Sequence, residues 1–180
     1  RDFCLSRGLG DVYKRQAAGN LFVGKYKETY NTSKARLEFG RPYNGSHPIK
    51  LRVWANYRPG KVDKVKTSVP QLKKDENDHG QIYIALSKGV FNIDTGTSPM
   101  TLFNPDADQI IAYGQVTWTE NFGADGTLEM IEIPLEYKAN AATVAPTHLI
   151  IVSCASKYGD YMAGSTSSVM YLDDFELVYE

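Results

Sequence analysis

Two adjacent carboxylates, Asp173 and Asp174, interrupt the apolar C-terminal segment VMYLDDFELVYE. Neighbouring side chains of an extended strand point to opposite faces, so a pair of carboxylates that shares one proton is disfavoured. For the same reason, at least one of the two carboxylates is expected to face the interior of a two-layer sandwich. Calcium binds about six to eight oxygen ligands, many of them carboxylates and backbone carbonyls. The pair therefore indicates either a structural calcium site, completed by carbonyls near residues 20–24, or carboxylates satisfied by backbone N–H groups, Arg or Lys.

A second candidate is Trp54, in the segment IKLRVWANYRPG. Alternation along this segment places four residues on an inward face: Leu51, Val53, Ala55 and Tyr57. Trp54 then shares the opposite face with Arg52 and Asn56. An aromatic plate flanked by two side chains with several hydrogen-bond donors suits a pyranose, which stacks its C–H face and hydrogen-bonds through its hydroxyls. The alternative is that the polar segment 61–79 covers Trp54 and makes it part of the core.

Three further residues are candidates for the same carbohydrate-binding surface. Tyr83 and Tyr113 lie on the more polar faces of their own strands, QIYIALSK and QIIAYGQVTW, and are expected to extend the aromatic platform. Asp160 lies in the sequence KYGDY, where it is expected either to orient Arg52 at the end of the sandwich or to cap a turn, as Asp often does. The predicted surface thus combines side chains from several strands around Trp54.

Patterns that indicate catalysis are weak in this sequence. Glycoside hydrolysis needs two carboxylates about 5 to 9.5 Å apart in a cleft, whereas Glu129, Glu132 and Glu136 belong to an alternating segment and indicate a solvated strand face. The histidines are scattered, and no HExxH, GxSxG, Walker or dinucleotide-binding motif occurs. We therefore predict no catalytic residues, with a glycoside hydrolase as the least favoured alternative.

The elements that must position these residues are strands. From residue 20 onward, short alternating segments are separated by turn residues, the pattern of a sandwich or barrel. The segment ATVAPTHLIIVSCAS is apolar on both faces and is expected to hold a central strand, while Pro134 removes a ladder donor and favours an edge strand or a bulge. The expected fold is all-β: a two-sheet antiparallel β-sandwich of the jelly-roll type, with about eight strands.

Length and charge limit the function. At 180 residues, with residues 18–180 as a single jelly-roll domain, the chain can bury a sizeable core. The 20 Lys and Arg nearly balance the 21 Asp and Glu, so the basic excess needed for nucleic acid is missing. No apolar run approaches the roughly 20 residues that cross a bilayer. The 12 Tyr, 7 Phe and 2 Trp favour strands and an aromatic contact face.

The first 17 residues are set apart from this domain. Residues 1–16 show no clean period, and their LGDVYKRQ stretch resembles a translated sequencing-adapter artefact, so residues 1–17 are expected to be a non-native or disordered leader. No start methionine or signal peptide is visible, which favours truncation. Of the two cysteines, Cys4 falls in this leader and Cys154 in an apolar run, so no native disulfide is predicted.

Several segments are similar to one known family: AGNLFVGKY, GRPYNGSHPIKLRVWANYRPG, QIYIALSK, IAYGQV, IEIPLEY and, above all, THLIIVSCASKYGDYMAGSTSSVMYLDDFELVYE. They resemble the putative carbohydrate-metabolism domain family. The resemblance implies a galactose-binding-like jelly roll, similar to non-catalytic carbohydrate-binding modules, at the C-terminus of a longer multidomain surface protein of bacteria. A glycan or oligosaccharide partner and an extracellular or cell-surface location are therefore expected. The alternative is a structural or protein-interaction sandwich that anchors or spaces another domain.

Overall fold

The computed structural model describes residues 19–31, 34–44, 47–139 and 141–179, and the expected leader, residues 1–17, lies outside these ranges. The described residues form two short 3₁₀ helices and twelve strands, in chain order β1 (Asn20–Phe22), β2 (Gly24–Asn31), β3 (Lys34–Phe39), β4 (Arg41–Pro42), β5 (Lys50–Arg58), β6 (Gly80–Ser87), β7 (Phe91–Asp94), β8 (Ile110–Trp118), β9 (Glu129–Pro134), β10 (Glu136–Tyr137), β11 (His148–Cys154) and β12 (Val169–Val178). No helix in these ranges is long and apolar enough to span a membrane. The all-β class is confirmed. The strands outnumber the expected eight because three predicted strands each divide in two, as β1 with β2 shows, and because β7 matches no predicted strand.

The strands form three antiparallel sheets. The central sheet has the order β1-β11-β6-β8-β10, and the short β4 also pairs with β11. The sheet with the order β12-β5-β9 is called the front sheet, and the sheet with the order β2-β3-β7 is called the back sheet. The expected sandwich is confirmed by the central and front sheets. The back sheet adds a third layer, which alternation within single strands does not reveal.

Apolar side chains cover both faces of the central sheet. One cluster lies between the central and front sheets and includes Val53 of β5 and Ile84 of β6. A second cluster lies between the central and back sheets and includes Ala85 of β6 and Phe91 of β7. Every residue of β6 is therefore buried. β11, which lies between β1 and β6, is the central strand that its two apolar faces predicted.

β9 is the edge strand that Pro134 predicted. Among the described residues it pairs with β5 alone, and it ends at Pro134. The front and central sheets approach closely here, because a Cβ added to Gly114 of β8 would lie 2.1 Å from the carbonyl oxygen of Pro134. Position 114 thus has no room for a side chain, and the missing Cβ lets β9 pack directly on β8.

The segment 61–79 packs against the loop that precedes β12, not against Trp54. Its apolar residues form a small cluster with Ala163 of that loop: Val62, Val69 and Leu72. The carboxyl of Asp78, which is 0% exposed, accepts hydrogen bonds from Ser156, Ser165 and Ser168 of the same loop. Trp54 remains 42% exposed, so the alternative that this segment buries the indole is wrong.

Candidate functional site

The outer face of the front sheet carries a cluster of exposed aromatic and apolar side chains. Trp54 lies opposite Met130 of β9 and Asp173 of β12 in the strand register, and Tyr171 lies two residues before Asp173. Trp54, Met130 and Tyr171 are 42%, 43% and 46% exposed. Contiguous exposed apolar surface of this kind marks a contact site more often than scattered single residues do. We call this surface the Trp54 face, with the residues Lys50, Arg52, Trp54, Met130, Glu132, Tyr171, Asp173 and Glu176.

Trp54 is held in place because β5 is the middle strand of the front sheet. β12 pairs with β5 on one side and β9 on the other. The residues on either side of Trp54 in the chain, Val53 and Ala55, are 0% exposed and pack in the core. The alternation predicted from the sequence is therefore present: Trp54 points outward because its neighbours point inward.

An ion-pair network adjoins Trp54 on the same face. Arg52 donates from Nε at 3.2 Å and Nη2 at 2.9 Å to Glu132, and from Nη1 at 2.9 Å to Glu176. Lys50 also donates to Glu132, at 2.6 Å. The hydrogen bonds from Lys50 and then from Arg52 hold the pKa of Glu132 below its ordinary value. Arg52 is on the predicted face, but three of its nitrogens already serve these carboxylates.

Asn56 is not available on this surface, although alternation placed it beside Trp54. It is 3% exposed, and its Nδ2 donates to the carbonyl oxygens of Ala124 at 2.7 Å and Thr127 at 2.6 Å. Gly123, at φ 81°, lets the turn cross directly over this amide. Asn56 therefore anchors the turn after β8. The sequence signal was the glycine-rich stretch NFGADG, but its docking site could not be derived from it.

Tyr83 and Tyr113 lie on a different surface from Trp54. Tyr83 belongs to the apolar cluster between the central and back sheets, is 7% exposed, and stacks on Phe103 with ring centroids 4.8 Å apart. Tyr113 is half-buried beside it, at a centroid distance of 6.0 Å. The front sheet packs on the opposite face of the central sheet. The expected single platform is therefore divided, with the central sheet between its two parts.

A polar network that was not predicted from the sequence lies next to these tyrosines. Gln115 accepts hydrogen bonds at its Oε1 from Tyr113 at 3.0 Å and from Gln81 at 2.6 Å. Burial raises the pKa of Tyr113 to about 12, so its hydroxyl stays a donor at neutral pH. The register pairs Gln81 with Thr117 and Tyr83 with Gln115, which places these side chains along one face of the sheet.

Asp160 lies in the 3₁₀ helix Gly159–Tyr161 and does not orient Arg52, whose hydrogen bonds go to Glu132 and Glu176. Asp160 is exposed, and partial desolvation by the surrounding protein raises the pKa of its carboxyl. The N-cap position of this helix is held by Tyr158 without a side-chain hydrogen bond, and the expected turn-capping role of Asp160 stays a prediction.

Asp173 and Asp174 form a β-bulge where regular alternation was expected. The register of β12 on β5 shifts between Asp173 and Glu176, and Asp174 has φ 46°. The backbone N–H of Asp174 donates to Oδ1 of Asp173 at 2.9 Å, which matches the expected alternative of a carboxylate satisfied by backbone. The described ranges contain no group of three or more potential metal-ligating side chains. The expected calcium site, which draws on backbone carbonyls near residues 20–24, stays a prediction.

An open depression of about 430 Å³ lies at one end of the sandwich and was not predicted. Its lining is polar and includes three carboxylates, Asp75, Glu76 and Glu120. The other lining residues are Lys61, Asn77, His79 and Thr119. Lys61 donates to Asn77 at 2.8 Å, and Asn77 donates to Glu120 at 3.0 Å. This chain of hydrogen bonds holds the carboxylate of Glu120 at the rim.

The described residues therefore form an aromatic surface and a separate acidic depression. The family described as putative carbohydrate metabolism domain matches residues 6–178. The chain belongs to this family. No curated protein matches the chain.

Two solved structures are similar to this member of the family. One is described as a putative glycoside hydrolase from Bacteroides thetaiotaomicron, with a TM-score of 0.62, 20% identity, and coverage of 91% of this chain and 47% of that one. The other is described as a putative glycoside hydrolase from Bacteroides vulgatus, with a TM-score of 0.60, 23% identity, and coverage of 89% and 64%. The likeness concerns the fold alone, and this chain spans less than two thirds of the length of either protein.

Proposed function

We propose that this domain is a non-catalytic glycan-binding module of a bacterial cell-surface protein and that the Trp54 face contacts the saccharide. The observation that carries the proposal is Trp54, 42% exposed on the middle strand of the front sheet and flanked by the exposed Met130 and Tyr171. Family membership supports a carbohydrate ligand. The larger size of the two similar structures supports a module within a longer protein.

The face can supply the free energy that weak glycan binding requires. A millimolar dissociation constant corresponds to about −4.1 kcal/mol. One stacked indole with two or three hydrogen bonds, each worth about 0.5 to 1.5 kcal/mol net, reaches that value. Partners for a sugar hydroxyl beside Trp54 are the remaining N–H groups of Arg52 and the second carboxylate oxygen of Asp173. Because β5 is paired on both sides, little ordering of the backbone opposes binding.

The test is affinity electrophoresis and glycan-array binding of the wild type and Trp54→Ala. Tyr26→Ala is the matched control, since Tyr26 is 58% exposed but lies on the back sheet. Trp54→Ala should weaken binding at least about tenfold, equivalent to about 1.4 kcal/mol, while Tyr26→Ala binds as the wild type does. If every glycan that binds the wild type binds Trp54→Ala equally strongly, the Trp54 face is not the binding site. If no glycan is retained, a sandwich that anchors or spaces another domain becomes the better description.

A second candidate function is glycoside hydrolysis, favoured by the acidic depression and by the descriptions of the two similar structures. A hydrolase would use two carboxylates on either side of the scissile bond, and Glu120 with Asp75 or Glu76 is the set that the depression offers. If the wild type and Trp54→Ala release reducing ends from a polysaccharide and Glu120→Gln does not, the domain is a hydrolase and the non-catalytic proposal is wrong. We expect no release from the wild type or from either variant.

A further inference from the structure

The charges around Trp54 are unequally paired. Each cation of the front sheet has a carboxylate partner: Lys50 with Glu132 at 2.6 Å, Arg52 with Glu132 and Glu176 at 2.9 Å, and Arg58 with Asp125 at 3.0 Å. Asp173 and Asp174 are exposed, and neither forms an ion pair within the described part of the chain. Two uncompensated negative charges therefore lie on β12, the strand next to the indole: Asp173 on the Trp54 face and Asp174 directly after it in the chain.

The bulge concentrates these charges beside the indole. Asp173 is the cross-strand partner of Trp54, so their side chains share one face and their Cβ atoms lie about 4.5 to 5.5 Å apart. The N–H of Asp174 holds the Asp173 carboxylate at 2.9 Å. Asp174 itself adopts a left-handed conformation, φ 46°, which is uncommon for a residue other than glycine. Bulges of this type often re-aim side chains next to functional sites.

We infer that Asp173 and Asp174 determine which saccharides the Trp54 face accepts: uncharged and amine-bearing saccharides bind, and saccharides with carboxylate or sulfate groups are rejected. A carboxylate on a pyranose stacked over Trp54 lies within about one Debye length of both aspartates at physiological salt, and so it is repelled. A protonated amine there is attracted by the aspartates and by the face of the indole. The paired Arg52 does not offset the repulsion, because Glu132 and Glu176 neutralise it.

This inference rests on the proposed function, but its electrostatic part can be measured without a ligand. Trp54→Phe retains Trp118 alone, so the difference between wild type and Trp54→Phe isolates the fluorescence of Trp54. Quenching by iodide, caesium and neutral acrylamide then reports the potential at the indole. In Asp173→Asn/Asp174→Asn, iodide quenching of Trp54 should rise about twofold and caesium quenching should fall, with acrylamide quenching unchanged.

The binding test uses three soluble polymers with a β-1,4-linked pyranose backbone: hydroxyethyl cellulose (neutral), carboxymethyl cellulose (acidic) and glycol chitosan (amine-bearing). Electrophoretic retardation of the wild type should be strongest in glycol chitosan and weakest in carboxymethyl cellulose. The double variant should gain about threefold in affinity for carboxymethyl cellulose at low salt, and the gain should shrink as salt rises. The control is Asp106→Asn/Asp108→Asn, which removes two exposed charges from the loop whose Ala107 packs against the cluster between the central and back sheets. It should change neither the order of retardation among the three polymers nor the affinity for any of them.

Two results overturn the inference: iodide quenching that is equal in the wild type and the double variant, or carboxymethyl cellulose that retards the wild type as strongly as hydroxyethyl cellulose does. If none of the three polymers retards the protein, the quenching experiment alone decides whether the aspartates set the potential. The Trp54→Ala comparison on other glycans then decides the proposed function. Failure of one proposal is thus separable from failure of the other.

Discussion

The buried carboxylate of Asp78 should be the largest single polar contribution to the stability of this domain. Its Oδ2 accepts from Ser156 Oγ at 2.5 Å, from the Ser165 N–H at 2.8 Å and from Ser168 Oγ at 2.8 Å. Its Oδ1 accepts from the N–H of His79 at 2.8 Å. Together these bonds tie the segment 61–79 to the loop before β12. The perturbation is Asp78→Asn, which keeps the volume and removes the charge.

The magnitude follows from the four donors. Even in its best orientation, the amide of Asp78→Asn turns its NH₂ toward the N–H of His79, which loses that bond and leaves a donor unsatisfied, at about 1 to 3 kcal/mol. The three bonds to the other oxygen lose their charge assistance, about 1 kcal/mol each. Removing a buried charge offsets part of this loss, because the desolvation of the carboxylate is relieved. We expect a net loss of about 2 to 4 kcal/mol, or a Tm lower by about 5 to 15 °C.

The assay is urea unfolding followed by circular dichroism, with Asp108→Asn as the control for removing an exposed carboxylate from a loop. Ser168→Ala, which deletes one of the four donors and also the Oγ that accepts from the Gly60 N–H at 3.1 Å, should cost about 1 to 3 kcal/mol. An Asp78→Asn variant as stable as Asp108→Asn would refute the reasoning. It would mean that relief from burying the charge equals everything the four donors supply.

Three further predictions concern other described groups. Burial raises the pKa of Cys154 to about 12, so in a Cys4→Ser background a thiol reagent such as DTNB should label the protein only after unfolding. Asn56→Ala should lose about 1 to 3 kcal/mol of stability and speed amide exchange in residues 122–127, because two carbonyls lose their donor. The hydrogen bond from Arg36 holds the pKa of Asp94 below its ordinary value, so this pair stabilises the fold above the ordinary aspartate pKa. That contribution is lost as pH falls through the lowered value, and Asp94→Asn should flatten the pH dependence of the Tm below about pH 4.

Alternation explains why part of the site could be predicted and part could not. Val53 and Ala55 face inward and Trp54 faces outward because successive side chains of a strand alternate, a rule that needs no tertiary information. The same rule placed Asn56 outward, which is its direction in the sheet, but it could not show that the turn 122–127 docks over the amide. Alternation gives the face of a residue and not what covers that face.

The aromatic residues of the central sheet show the same limit. Tyr83 was expected outward on a more polar face, yet the back sheet and Phe103 cover that face, so the tyrosine is buried. Alternation within one strand does not reveal how many layers the chain forms. The placement of Tyr83 and Trp54 on opposite sides of the central sheet depends on which face each neighbouring sheet covers.

The sequence by itself determined the all-β class, the doubly apolar strand β11, the edge position of Pro134 and the outward direction of Trp54, because each depends on local period or on a missing backbone donor. Only the tertiary structure decided that Asp78 is buried among four donors, that Asp173 and Asp174 form a bulge beside Trp54, and that the predicted aromatic platform is two surfaces. These features join residues far apart in the chain. Strand pairing and the packing of sheets bring such residues together, and no local pattern encodes that outcome.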